Sequence, residues 1–80
     1  MATLTGVVRV GDGPAADAYV QIRNLNGDFQ GEVKTDDEGK FQLHPVAGRW
    51  RLVSWLPGKG RAEQEVEVSE KDVSVELTLS

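Results

Sequence analysis

Residues 35–50, TDDEGKFQLHPVAGRW, place three acids, two glycines, a proline, alternating apolar residues and a tryptophan in one short stretch. Three readings compete for it: a metal site, a catalytic loop, or the turn chemistry of a β-sheet. The alternation decides. Phe41 and Leu43 lie two apart among Lys40, Gln42 and His44, which is the period of a half-buried strand. Asp36 is placed to accept hydrogen bonds from amides across the turn before that strand, as Asx residues do. Gly39 supplies the left-handed conformation where the chain reverses, and Gly48 plays the same part before Trp50. The stretch therefore reads as a turn, a strand, a loop and the start of another strand.

The same period of two continues outward in both directions. Residues 29–35 put Phe29, Gly31, Val33 and Thr35 on one face. Residues 18–23 put Ala18, Val20 and Ile22 inward and Tyr19, Gln21 and Arg23 outward. Between these two strands, Asn26-Gly27 signals a tight hairpin, whose central positions favour φ > 0. Residues 4–10 carry Leu4, Gly6, Val8 and Val10 on one face, and GDGPAAD (11–17) is a turn cluster. Toward the C-terminus, Trp50, Leu52 and Ser54 alternate with Arg49, Arg51, Val53 and Trp55, and Leu56–Gly60 is a loop. Ala62, Gln64, Val66 and Val68 then alternate with Arg61, Glu63, Glu65 and Glu67. Ser69–Asp72 turns the chain with a Ser-x-x-Asp spacing that suits one capped helical turn. Val73, Val75, Leu77 and Leu79 form the last apolar face.

Seven short alternating strands, with no helical period over ten residues, predict an all-β fold. The architecture expected is a seven-stranded β-sandwich, Ig-like in layering, forming one domain over residues 1–80. Phe29 and Trp50 belong to its expected core, and Trp55, of opposite parity to Trp50, is expected to be much more exposed.

Composition removes several functional classes. The chain has 80 residues, no cysteine and a net charge of −4. Disulfide staples and zinc-thiolate sites are excluded, and the balance of cysteine usage leans to a reducing compartment. An acidic chain without a basic stripe is not expected to bind nucleic acid. No apolar run approaches the roughly 20 residues that span a bilayer, so no membrane partner is expected. MATLTGVV (1–8) lacks the charged and apolar regions of a signal peptide. The expectation is a cytoplasmic protein, or part of a larger assembly.

Five segments together carry a family resemblance: Gly6-Val7-Val8, Gly13-Pro14, Ala18-Tyr19-Val20, Thr35-Asp36-x-x-Gly39-x-Phe41 and Gly48-x-Trp50-x-Leu52. Over almost the whole chain they resemble the carboxypeptidase-regulatory-like family. That resemblance implies the prealbumin-like (transthyretin-like) sandwich of seven strands. Gly27-Asp28-Phe29, Gly39-x-Phe41, Gly48-x-Trp50 and Leu56-Pro57-Gly58 are also similar to a small actinobacterial family of unassigned function. Some of its members look associated with thiosulfate sulfurtransferase genes, which implies an accessory role in sulfur metabolism as one alternative. The cysteine near the start of those proteins is absent here.

The residues do not assemble into an enzyme. His44 is the only histidine, and nucleophilic catalysis would need a base, a nucleophile and an orienting partner together. Hydroxyisourate hydrolases of the transthyretin-like fold use several histidines and arginines and a C-terminal Tyr-Arg-Gly-Ser; this chain ends in Glu76-Leu77-Thr78-Leu79-Ser80. Intradiol dioxygenases need paired Tyr and His iron ligands, and the chain has one of each. Asn24, Asn26 and Asp28 have the alternation of a calcium loop. However, glycine stands at 27 rather than after Asp28, and Thr35 occupies the twelfth position, where a bidentate Glu belongs. Asp36, Asp37 and Glu38 read as solvated turn acids. The expectation is no catalytic residue, no metal and no cofactor.

Charge patterning points to a surface instead. Residues 49–61 hold Arg49, Arg51, Lys59 and Arg61 and no acid, whereas residues 63–76 are predominantly acidic. If Trp55 pairs with Arg61 across the loop at 56–60, then Val53 faces Glu63, Arg51 faces Glu65 and Arg49 faces Glu67. Those pairs give a structural account of the charges. Trp55 remains the leading functional candidate, with Tyr19, Val53 and Leu56 as an apolar patch and Arg51 and Arg61 as its rim. The function expected is a non-enzymatic interaction or structural module. It would dock a protein partner or another copy of itself, as small sandwiches in virion decoration and appendage proteins do. A carbohydrate-binding role resting on Trp55 and Tyr19 is a third reading.

Overall fold

The computed structural model describes residues 3–80. Met1 and Ala2, at the start of the segment read as leaderless, lie outside the described residues. The strands are β1 (Leu4–Val10), β2 (Gly13–Pro14), β3 (Tyr19–Arg23), β4 (Phe29–Lys34), β5 (Lys40–Leu43), β6 (Gly48–Leu56), β7 (Gly60–Val68) and β8 (Val73–Leu79). Seven match the alternating segments of the sequence. The two-residue β2 is an addition, closed onto β1 where Arg9 faces Pro14 and Val10 faces Gly13.

Two sheets stack to form the sandwich. In the first, β1 is central. One edge of β1 pairs antiparallel with β5 along Leu4–Val7 and with β2 beyond it. Its other edge pairs in parallel with β8 over seven residues, from Leu4↔Val73 to Val10↔Leu79. The second sheet has the order β4-β3-β6-β7, all antiparallel. Alternation sends Leu4 and Val8 from one sheet and Val20 and Leu52 from the other into a fully buried core. Val10, Val33, Leu43, Trp50, Val73 and Val75 pack around its margin.

Gly6 faces Phe41 in the β1–β5 register, and the Phe41 ring lies over it. The missing side chain makes room for an aromatic that is only 6% exposed. The 35–40 turn behaves as its residues dictate. Asp36 Oδ1 accepts from the amides of Glu38 and Lys40, both at 2.9 Å. Gly39 adopts φ 77°, and its carbonyl accepts from Val8 N at 2.7 Å. Thr35, just before, is buried; its hydroxyl donates to the Ala15 carbonyl at 2.5 Å and accepts from Ala18 N at 2.9 Å. One short segment thus ties the β2–β3 connection to the β4–β5 turn.

Four expectations need correction. Phe29 is 55% exposed, not core. The register shifts between Ile22 and Arg23, so that Ile22 faces Gly31 while Arg23 faces Phe29, and the extra residue Gln30 turns Phe29 out of the inward set. The hairpin turn sits one residue earlier than Asn26-Gly27 suggests: Gly27 N donates to Asn24 O at 3.0 Å, and only Gly27 of that pair has positive φ. Ser69–Asp72 forms bends without a helical turn, and Asp72 Oδ1 instead accepts from Thr3 N at 2.9 Å. Trp50 is half-buried, as Trp55 is, so parity sets their direction but not the expected contrast in exposure. Trp50 packs at the rim of the core, where its indole N–H reaches the Val46 carbonyl at 3.0 Å.

Candidate binding face

The hairpin of β6 and β7 has the register expected from the sequence: Trp55↔Arg61, Val53↔Glu63, Arg51↔Glu65 and Arg49↔Glu67. On its other edge β6 pairs with β3, giving Tyr19↔Trp55, Gln21↔Val53 and Arg23↔Arg51. Strand β4 adds Lys34 opposite Tyr19 and Glu32 opposite Gln21. Partners directly opposite in an antiparallel sheet share a face. The outer face of the second sheet is therefore a grid, with one row reading Lys34–Tyr19–Trp55–Arg61.

That row is built from contacts. Tyr19 and Trp55 stack, with centroids 5.5 Å apart and planes 24° apart. Lys34 Nζ lies 5.0 Å from the Tyr19 ring centroid, within the range of a cation–π contact. The next row, Glu32–Gln21–Val53–Glu63, has Gln21 Nε2 donating to Glu32 at 3.0 Å. In the row after it, Arg23 donates to Gln21 Oε1 at 2.6 Å and to the Gly27 carbonyl at 2.9 Å, while Arg51 approaches Glu65 at 3.5 Å. A shallow cleft of about 610 Å³ follows these rows and is lined by Arg23, Arg51, Arg61, Glu63, Val53 and Trp55, among others.

The expected site residues divide. Tyr19, Trp55, Arg51 and Arg61 come together on this face. Val53 points the same way but is only 7% exposed. It sits mid-sheet, with Gln21 and Glu63 across from it and Arg51 and Trp55 along its own strand, and those larger side chains surround it. Leu56 does not belong to the patch: it shares the parity of Leu52 and packs on the core. Gln21, Arg23, Lys34 and Glu63 belong to the face although the sequence reading did not assign them. The outward parity of Gln21, Arg23 and Glu63 was visible, but the pairing of β3 with β6, across a long separation in the chain, was not.

Other candidate chemistry resolves into local structure. Asn24 Oδ1 accepts from the amides of Asn26 and Asp28, both at 3.0 Å, so the calcium-like spacing serves an Asx-type turn. Exposed His44 has Gln42 Nε2 at 3.3 Å from its Nε2. Backbone donation from Lys40 first, then from Glu38, holds the Asp36 carboxyl below its ordinary pKa. Among the described residues, no three His, Cys, Asp or Glu side chains converge as metal ligands, and no helix is long and apolar enough to cross a membrane.

Two solved structures share the architecture. A DUF3823 family protein from Parabacteroides merdae superposes with a TM-score of 0.74 at 15% identity, over 99% of this chain and 45% of that one. The 5-hydroxyisourate hydrolase of Klebsiella pneumoniae superposes with a TM-score of 0.70 at 18% identity, over 99% of this chain and 92% of that one. At such identities the likeness shows the fold, and it supports the transthyretin-like sandwich implied by the sequence motifs. No curated protein matches the chain. The match of residues 1–79 to one family model shows that the chain belongs to DUF1416, a family of proteins of unknown function.

Proposed function

We propose that the protein is a non-catalytic binding module that docks a protein partner on the outer face of β4-β3-β6-β7. The observation that carries this reading is the stacked Tyr19–Trp55 pair, half-buried and held between Lys34 and Arg61 on a sheet face where solvated side chains are the norm. Rigid aromatics inside a charged rim are the usual anchors of protein interfaces.

Carbohydrate binding is less well supported. A sugar stacks on an open ring face, whereas the faces of Tyr19 are engaged by Trp55 on one neighbouring strand and Lys34 on the other. Tyrosine and tryptophan join a large apolar body to a polar handle, which suits the side chains and backbone carbonyls of a protein.

The test is Trp55→Ala, carried through co-purification, identification of the partner and titration of that partner in pure form. Affinity should fall by about 2 kcal/mol or more, roughly thirtyfold, with a small change in melting temperature. Sedimentation of the protein alone separates self-association from binding a different partner. A variant that unfolds while the folded fraction binds normally would make Trp55 a structural residue and end this reading.

A further inference from the structure

The grid contains one arrangement that packing does not explain. Arg23 and Arg51 are direct cross-strand partners in the middle of the second sheet. Side chains so placed start about 5 Å apart at Cβ, and like charges there oppose folding. Both are half-buried. They are neutralised unequally: Arg23 donates only to the neutral Gln21 side chain and the Gly27 carbonyl, whereas Arg51 has a single, long ion pair, to exposed Glu65 at 3.5 Å. Arg61 at the same cleft is paired with Glu63 at 3.3 Å, so of its three guanidiniums Arg23 is the one without a carboxylate partner among the described residues, and the cleft keeps a positive excess in a chain of net charge −4.

We propose that Arg23 and Arg51 form a carboxylate clamp, so that the partner presents an acidic segment to this face. The inference rests on the docking reading and gives it a chemistry. Two adjacent guanidiniums offer paired N–H donors that match the two oxygens of one carboxylate. An arriving carboxylate would also cancel the repulsion between them. The clamp lies four residues from Tyr19 along β3, about 13 Å away. A partner segment with an acidic residue and an apolar one some four positions apart in extended form would reach both the clamp and the stacked pair. Opposite Arg23, exposed Phe29 widens the apolar margin at that end. The open, shallow shape of the cleft suits a side chain projecting from a larger body.

The probes are a hexaglutamate peptide, a hexaglutamine peptide of equal length and inorganic phosphate. Each is titrated at low ionic strength while the arginine Nε–H resonances are followed by NMR. Hexaglutamate should move the Arg23 and Arg51 signals, and hexaglutamine should not. Arg23→Gln and Arg51→Gln should each weaken hexaglutamate at least tenfold. Arg49→Gln, one row along the same strand and opposite Glu67, should change it less than twofold. Equal losses at Arg49 and Arg51 would reduce the effect to diffuse charge and overturn the clamp. Phosphate binding as tightly as the peptide would make this a free-anion site and overturn the acidic partner. If Trp55→Ala weakens the peptide and the arginine variants do not, the docking face stands without the clamp. If none of the three matters, the docking face falls with it.

Discussion

The outer faces of the two sheets differ in how their polar groups are satisfied. On the first sheet, Arg9 of β1 meets Glu76 of β8 at 3.2 Å, and the Thr5 and Ser74 hydroxyls lie 3.3 Å apart. Small polar and oppositely charged residues stand beside one another, as on any solvated sheet. On the second sheet, two arginines oppose each other, an aromatic pair stands on the surface and a valine is buried outside the core. Favourable cross-strand pairs contribute about 0.2–1 kcal/mol each, and like-charged pairs directly opposite oppose folding. The first face is arranged for the folded chain alone. The second departs from that arrangement, and this departure is the structural basis for proposing a binding function there.

The comparison breaks most visibly if substitutions in the first sheet alter binding. The largest stability effect is expected at Gly6. A methyl there would overlap the Phe41 ring and come within 2.9 Å of Val75 Cγ2. Phe41 is buried, so its ring cannot swing into solvent without opening the core. Gly6→Ala should lower stability by about 3 kcal/mol, at the upper end of the range for overpacking. Urea unfolding would measure it, and the folded fraction should bind partner with unchanged affinity. A loss below about 1 kcal/mol would show that Phe41 does not depend on the missing side chain.

Much of this was legible before the structure, because it is local. Period two exposed seven strands, and the short loop at 56–60 let the β6–β7 register be counted outward from Trp55 and Arg61. The turn at Asp36 and Gly39 was readable because a side chain accepting nearby amides and a glycine at a reversal are properties of a few consecutive residues. Phe29 was misplaced because a single extra residue, Gln30, reverses parity, and the one bulge signal beside it, Gly31, fits an unbroken alternation equally well. The Arg23–Arg51 pair was invisible because it depends on which strand lies beside β6 on its far edge. Leu56 was assigned to the patch by proximity in the chain, whereas alternation sends it to the core.

Strand β6 is also short of its best stability on the inner side, which sharpens the contrast with β1. Ser54 is fully buried between Val20 and Ala62 in the register, and its hydroxyl has no hydrogen-bond partner among the described residues. A buried hydroxyl without a partner costs about 1–3 kcal/mol. Ser54→Ala removes it with little change in volume and should stabilise the fold by about 1 kcal/mol, seen as a rise in melting temperature of roughly 4–8 °C. A fall of similar size would mean the hydroxyl is bonded in solution, and β6 would then resemble β1 on its inner face.

The smallest effect tests the turn that carries the chain from the second sheet to the first. Asp36 stands between β4 and β5, and its carboxylate accepts two backbone amides at 2.9 Å. Those bonds favour the charged form, so its pKa is lower in the folded chain than in the unfolded one. The stabilisation is therefore fully present above the ordinary carboxylate value of about 3.9 and is lost as pH falls through the lowered one. Asn at this position keeps an oxygen acceptor but has no charge to lose. Melts of wild type and Asp36→Asn should differ at neutral pH and converge as pH drops below about 4. The side chain is exposed, so solvent screens the effect and the difference should be modest. A gap that stays constant into acid would show that the turn is held by geometry alone, without help from the charge. Binding on the second sheet's outer face should be the same for both proteins, since Asp36 lies outside the grid on that face.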